Sequence, residues 1–194
     1  MNNVFKIDNY RLVCKKKSLS KIYKSICNKI PDSIFVILGQ SFFEDSVKSQ
    51  IIDVYCIENK KKIASIITVI NYSNYKKISY LILKHILKNP HKLLIHFGFL
   101  LNSLSKNEKV DFDKSYLHLL HFIIYKKFFI NISLQKKDKI INSFIKLILK
   151  NYNAKNIFLC FNLKNKTAHK YYRRNKYKLF LKKNNFLFYK RKFI

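Results

Sequence analysis

Two glycines and two prolines in 194 residues leave this chain almost no specialised turn residues. A fold that needs left-handed turns must make them with other side chains, and Asn tolerates positive φ better than most. The chain is rich in Asn, so Asn is the expected turn residue. With so few breakers, element boundaries have to be taken from apolar periodicity. No Gly/Ser linker or internal repeat divides the chain, and a single domain over residues 1–194 is expected. Hydrophobic residues at 48% and aromatics at 15% exclude a disordered tail.

Periodicity predicts a helix over 19–28, closed by Pro31. Residues 50–57 and 62–70 are β-branched and flank a polar turn at Glu58-Asn59-Lys60-Lys61, which predicts an antiparallel hairpin. Helices are expected over 75–88 and 92–104, separated at Pro90. The dense apolar run 116–124 predicts a strand, which 128–134 extends or follows as a separate element. A clear amphipathic helix is expected over 138–151. A buried strand follows over 157–161, then a short basic helix over 166–175. Residues 177–181 and 186–189 form a closing hairpin. Strands and helices alternate in the second half. The expected class is therefore α/β (mixed α+β), a mixed, mostly antiparallel sheet with helices on both faces.

The formal net charge is +30. Such a surface attracts nucleic acid, anionic lipid or phosphorylated ligands. Only four of the 40 basic residues are Arg, however, whereas bidentate recognition of bases favours Arg. Lys, Asn, Ile, Phe and Tyr are inflated together, as an AT-rich coding sequence would produce. Nucleic acid is therefore not the expected partner. Cys14, Cys27, Cys56 and Cys160 lie far apart with no CxxC spacing, so neither zinc nor a disulfide framework is expected. No apolar run suits a signal peptide or a membrane span, and a soluble cytoplasmic protein is expected. Nothing in the sequence fixes oligomeric state, and a homo-oligomer is allowed.

The last third carries a specific pattern. The apolar run Ile157-Phe158-Leu159-Cys160-Phe161-Asn162 is followed by Asn165-Lys166-Thr167-Ala168-His169-Lys170-Tyr171-Tyr172, then Asn175-Lys176-Tyr177. This resembles the end of the GNAT N-acetyltransferases, whose pattern there is an apolar strand, N-x-x-A-x-x-[FYL]-Y, and a G-[FY] shortly after. The resemblance implies that the 157–161 and 116–124 strands splay into a V. It implies acetyl-CoA as the acyl donor, with its thioester arm lying against the strand end at Phe122, Ile123 and Ile124. It implies that Asn165 bonds that arm and that Ala168 is small to let the helix approach it. Tyr172, seven residues after Asn165 and so on the same helical face, is then the general acid that protonates the departing thiolate.

The same resemblance calls for a glycine-bearing pyrophosphate loop after the central strand, [RQ]-x-x-G-x-[GA]. The corresponding stretch, Phe128-Phe129-Ile130-Asn131-Ile132-Ser133, has neither glycine, and Asn131 and Ser133 stand as replacements. Nearby lysines, among them Lys126, Lys127, Lys136, Lys137 and Lys139, could meet phosphates as point charges. If Leu117-His118-Leu119-Leu120 matches the family's A-E-L-L, His118 takes the place of its Glu as general base. His121, three residues on, is expected on the other strand face.

Leu38-Gly39-Gln40-Ser41-Phe42-Phe43 and a basic helical insertion over about 74–105, before the central strand, resemble the branch linked to amino-sugar and surface-polysaccharide biosynthesis. That implies a small-molecule amine acceptor, an amino sugar. The alternative is a catalytically degenerate GNAT-fold protein that binds nucleic acid or anionic membrane through its basic surface.

Overall fold

A computed structural model describes residues 5–88, 115–183 and 185–193. The expected helix over 92–104 and the end of the expected insertion lie outside them. The described residues form one eight-stranded sheet in the order β1-β2-β3-β4-β5-β6-β8-β7. Its strands are Phe5–Ile7 (β1), Tyr10–Cys14 (β2), Ile52–Asn59 (β3), Lys62–Asn71 (β4), Tyr116–Ile124 (β5), Asn156–Asn162 (β6), Lys178–Lys183 (β7) and Phe186–Lys192 (β8). Every neighbouring pair is antiparallel except β5–β6. A parallel pair needs a long crossover. Here the helix Leu134–Asn151 (α5) supplies it. The mixed, mostly antiparallel class expected from the sequence is the class observed.

Helices cover both faces. Leu19–Lys29 (α1), Ile34–Leu38 (α2), Gln40–Lys48 (α3) and Tyr75–Lys88 (α4) lie on one, around a core that includes Ile26, Phe42, Phe43, Val54 and Ile66. On the other, α5 and Lys166–Arg174 (α6) pack through Ile141, Phe144, Ile145, Tyr171 and Tyr172. The two cores explain why β3 and β4 are nearly continuous apolar runs: a strand covered on both sides has no solvent face to keep polar.

Besides the helices Ile34–Leu38 and Gln40–Lys48, which it did not assign, four details differ from the sequence reading. The N-terminal hairpin β1–β2 is an addition, because its short strands carry too few residues to show a period. The segment after β5 does not extend the strand and stands apart from it. It forms a 3-10 turn at Lys126–Phe128 and then a loop. The crossover helix α5 starts at Leu134, four residues before its expected start, because Ser133 caps it by accepting from Lys136 N at 3.2 Å.

The fourth concerns turns. Among the described residues, the non-glycine positions with positive φ are Asp8, Ser18, Gln50, Lys60, Lys61, Asn153 and Lys176, so a single Asn is used. Lys60 (φ 48) and Lys61 (φ 65) together close the β3–β4 hairpin, where two consecutive left-handed residues match the strand twist. The long β3–β4 ladder imposes this geometry on side chains that do not favour it, at roughly 1–2 kcal/mol per left-handed residue. Replacing Lys60-Lys61 by Asn-Gly is expected to stabilise the protein by about 1 kcal/mol. A higher urea midpoint at unchanged slope would show it, and an unchanged midpoint would reject it.

Candidate active site at the splayed strands

The parallel pairing of β5 with β6 runs from Tyr116↔Asn156 to Leu119↔Leu159 and then stops. Both strands continue. The outer edge of β5 stays on β4 as far as Ser65↔Ile124, and the outer edge of β6 stays on β8 as far as Asn162↔Phe186. A bulge falls at the same place. Thr68 pairs with His121 and Val69 with Leu119, so Leu120 is an extra residue on β5. A bulge bends and twists its strand, which accounts for the two arms parting where they do.

A cavity opens on each side of the gap. One, of about 290 Å³, lies toward α1 and α2 and includes Asp32, Ser33, Leu120, His121, Asn162 and Phe186 in its lining. The other, of about 380 Å³, lies toward α5 and α6 and includes Ile124, Lys126, Lys137, Lys170, Tyr171 and Arg174. Phe122, Asn165, Ala168 and Tyr172 line both. The sequence motif and the end of the central strand therefore converge on one gap through the sheet.

Helix α6 brings the motif there, and its position is fixed at both ends. Asn165 caps it, its Oδ1 accepting from Ala168 N at 3.0 Å. At the far end Arg174 grips Asp138 of α5 through Nε (2.6 Å) and Nη2 (3.2 Å). Asn175 donates to the same carboxylate at 3.0 Å and accepts from Asn142 of α5 at 2.7 Å. Tyr172 is 6% exposed. Its ring packs among Phe161 (5.3 Å), Tyr171 (5.3 Å) and Tyr177 (5.0 Å). Burial, reinforced by Tyr177, holds its phenol pKa well above the ordinary value. It stays protonated across the neutral range and has a proton to give.

The cavity on the α5–α6 side is cationic. Burial lowers the Lys137 pKa, and the neighbouring Arg174 and Lys126 push it the same way against the opposing pull of Asp138. Like charges crowd here at the first turn of α5, where a helix favours anions. Tyr171 belongs to the same lining, and its hydroxyl is buried with no hydrogen-bond partner among the described residues. An unmet buried donor of that kind suits a ligand oxygen.

Other expected site residues lie elsewhere. Ile123 turns its side chain into the α1–α4 core, and its carbonyl accepts from Ser65 Oγ at 2.7 Å. Ser133 is committed to capping α5. Asn131 lines a separate cavity of about 590 Å³ with Asp8, Tyr10, Lys60 and Lys127. His118 lines neither central cavity. Its ring sits between Tyr75, whose hydroxyl bonds Nδ1, and Phe158 at 4.6 Å. Burial, with His121 nearby, pushes its pKa down to about 3.

His121 does not face away from His118, as simple alternation predicted. The bulge at Leu120 resets the alternation, so His121 points toward the α1–α4 side, bonding Ser33 there. It is His121 that reaches the 290 Å³ cavity. Sequence reasoning also missed Ser33, Thr68, Tyr171 and Arg174. The run Ser33-Ile34-Phe35 carries a capping signal for a helix start, but nothing in it names a histidine 88 residues away.

No family model and no curated protein sequence matches this chain. Solved structures do. Ard1 from Thermoplasma volcanium superposes with a TM-score of 0.57 at 10% identity, covering 96% of this chain and 99% of that one. A GNAT family acetyltransferase from Elizabethkingia anophelis, solved with acetyl-CoA bound, gives 0.55 at 8% identity, covering 96% and 99%. The Campylobacter jejuni N-acetyltransferase PseH in complex with acetyl coenzyme A gives 0.51 at 10% identity, covering 94% and 98%. With an eight-stranded sheet, a bulged central strand and a parallel pair that parts beyond Leu119, this chain has the GNAT acetyltransferase fold.

Proposed function

We propose that the chain is an acyl-CoA-dependent N-acyltransferase of one domain, acting in the cytoplasm, that moves acetyl from acetyl-CoA directly to a primary amine on an amino sugar. The observation that carries this reading is the gap between β5 and β6, with Asn165, Ala168 and Tyr172 lining the cavities on both its sides. The two similar structures solved with acetyl-CoA support the choice of donor.

The residues present fit that donor without the loop glycines. Lys126, Lys137, Lys170 and Arg174 would hold its phosphates as charges, with the first turn of α5 adding N–H groups. The Tyr171 hydroxyl and the Asn165 amide nitrogen would bond its arm. Past Leu119, the edge of β5 that faces β6 has no strand partner among the described residues and can pair with an extended ligand, with Phe122 and Ile124 beside it. Bound there, the donor supplies an activated thioester. The amine enters from the α1–α2 side and forms the new bond to the acyl carbon. Tyr172 passes its proton to the departing sulfur, the amine's surplus proton leaves to water in the acceptor-side cavity, and the Tyr172 phenolate takes a proton back from water. Ala168 keeps the helix close while leaving room for the arm.

Calorimetry tests this. The wild type is expected to bind acetyl-CoA in the micromolar range, about −8 kcal/mol. Asn165→Ser keeps a capping oxygen but loses the amide donor, and should weaken binding by about tenfold. No binding even at low salt would overturn the enzyme reading. A second reading, a non-catalytic polyanion binder, draws on a cavity of about 480 Å³ at the other end of β6, where Lys146, Lys176, Lys178, Lys190, Arg191 and Lys192 gather. It would then take precedence.

A further inference from the structure

The acceptor-side cavity holds a hydrogen-bonded chain that the reaction above does not use. Thr68 Oγ1 lies 2.5 Å from His121 Nδ1, and His121 Nε2 lies 2.6 Å from Ser33 Oγ. Ser33 Oγ also accepts from Phe35 N at 3.3 Å, as the cap of α2. The ring of Phe35 stands edge-on to the imidazole at 5.4 Å.

Counting hydrogens decides the direction of this chain. Thr68 is fully buried, and His121 Nδ1 is the one hydrogen-bond partner of its hydroxyl among the described residues. If Nδ1 carried the ring proton, the Thr68 hydrogen would be stranded in the core, a cost of about 1–3 kcal/mol. A doubly protonated ring would strand it too. Burial also disfavours that charged form, pushing the His121 pKa down to about 3. The arrangement that strands nothing is a neutral ring in which Thr68 donates to Nδ1 and Nε2–H donates to Ser33. Ser33 Oγ then accepts twice, from His121 and from Phe35 N. Both its lone pairs are filled, so it cannot take a proton from an amine. Its own hydrogen has no protein acceptor among the described residues, and Ser33 lines the cavity.

We propose that Ser33 grips the acceptor by donating its hydroxyl hydrogen to an oxygen next to the acceptor's amine, with His121 and Thr68 as positioning residues that aim it. This rests on the acyltransferase reading and narrows it. The favoured acceptor is an amine flanked by hydroxyl, ether or carbonyl oxygen, and a bare hydrocarbon amine lacks the atom that Ser33 holds. His121 locks a tautomer and does not act as a base.

Two measurements test the proposal. Nitrogen NMR of histidine-labelled protein should show His121 with Nε2 protonated and Nδ1 bare. Thr68→Val should disturb that tautomer, Thr68→Ser should restore it, and Ser33→Ala should leave it in place. A proton on Nδ1 in the wild type overturns the proposal.

In the second, release of thiol from acetyl-CoA is followed with two ring amines, glucosamine and cyclohexylamine. Ser33→Ala should cut kcat/KM for glucosamine by about tenfold through KM, leave cyclohexylamine unchanged, and be rescued by Ser33→Thr. Equal losses on both amines overturn the gripping role. If the wild type turns over neither amine, the tautomer alone decides. If it fails to bind acetyl-CoA in calorimetry, the transferase reading falls by itself, whatever the nitrogen spectrum shows.

Discussion

Tyr172→Phe is expected to lower turnover by about 10²–10⁴-fold, the usual contribution of a positioned general acid. Acetyl-CoA affinity should change little. The substitution removes one oxygen and keeps the ring among Phe161, Tyr171 and Tyr177, so packing around the gap is preserved. The phenol is suited to the task because burial raises its pKa well above the ordinary value, leaving it a proton donor throughout the neutral range. A fall in kcat and kcat/KM together, with unchanged calorimetric binding, marks an interaction made only in the transition state. The measurement needs an amine that the wild type acetylates, assayed by thiol release. If Tyr172→Phe retains more than about a third of wild-type kcat, the phenol is not the acid.

Ala168→Trp is expected to abolish measurable acetyl-CoA binding, a loss of at least about 100-fold or 2.8 kcal/mol. Ala168 lines both cavities, where α6 stands beside the parted ends of β5 and β6. It is partly buried, so a large ring there fills the gap but also packs against the core that holds Tyr172 and Tyr189, and folding needs its own control. Thermal unfolding distinguishes the two causes. A Tm close to wild type with binding lost places the donor's arm in the gap. A folded variant that still binds acetyl-CoA with wild-type affinity shows that the arm runs elsewhere.

Much of this architecture was legible before the tertiary structure. The apolar run 116–124 and the β-branched run 62–70 matched β5 and β4, and the motif from Asn165 to Tyr172 fell on a helix next to a splayed strand pair. Such features are local: apolar spacing and short-range order fix them within a dozen residues. The central strand's side chains were harder. The match to the family's A-E-L-L assigned His118 to the site, and strand alternation turned His121 to the other face. The bulge at Leu120 brings His121 to the cavity, because one extra residue flips every later side chain, whereas His118 precedes the bulge and packs between Tyr75 and Phe158. Whether a strand bulges depends on its neighbour's register with β4, which no single segment encodes.

The proposed phosphate site shows the same division. The missing loop glycines are plain in the sequence, but the cations proposed in their stead come from three places: Lys126 after β5, Lys137 on α5, and Lys170 with Arg174 on α6. Only packing of α6 on α5 through Asp138 and Asn142 gathers them. The Ser33–His121–Thr68 chain joins residues up to 88 positions apart. By itself the sequence determined most of the longer helices and strands, the sheet class, and the helix that carries Asn165, Ala168 and Tyr172. The tertiary structure decided which side chains meet at the gap. Periodicity acts along the chain, whereas a site is made by contacts across it.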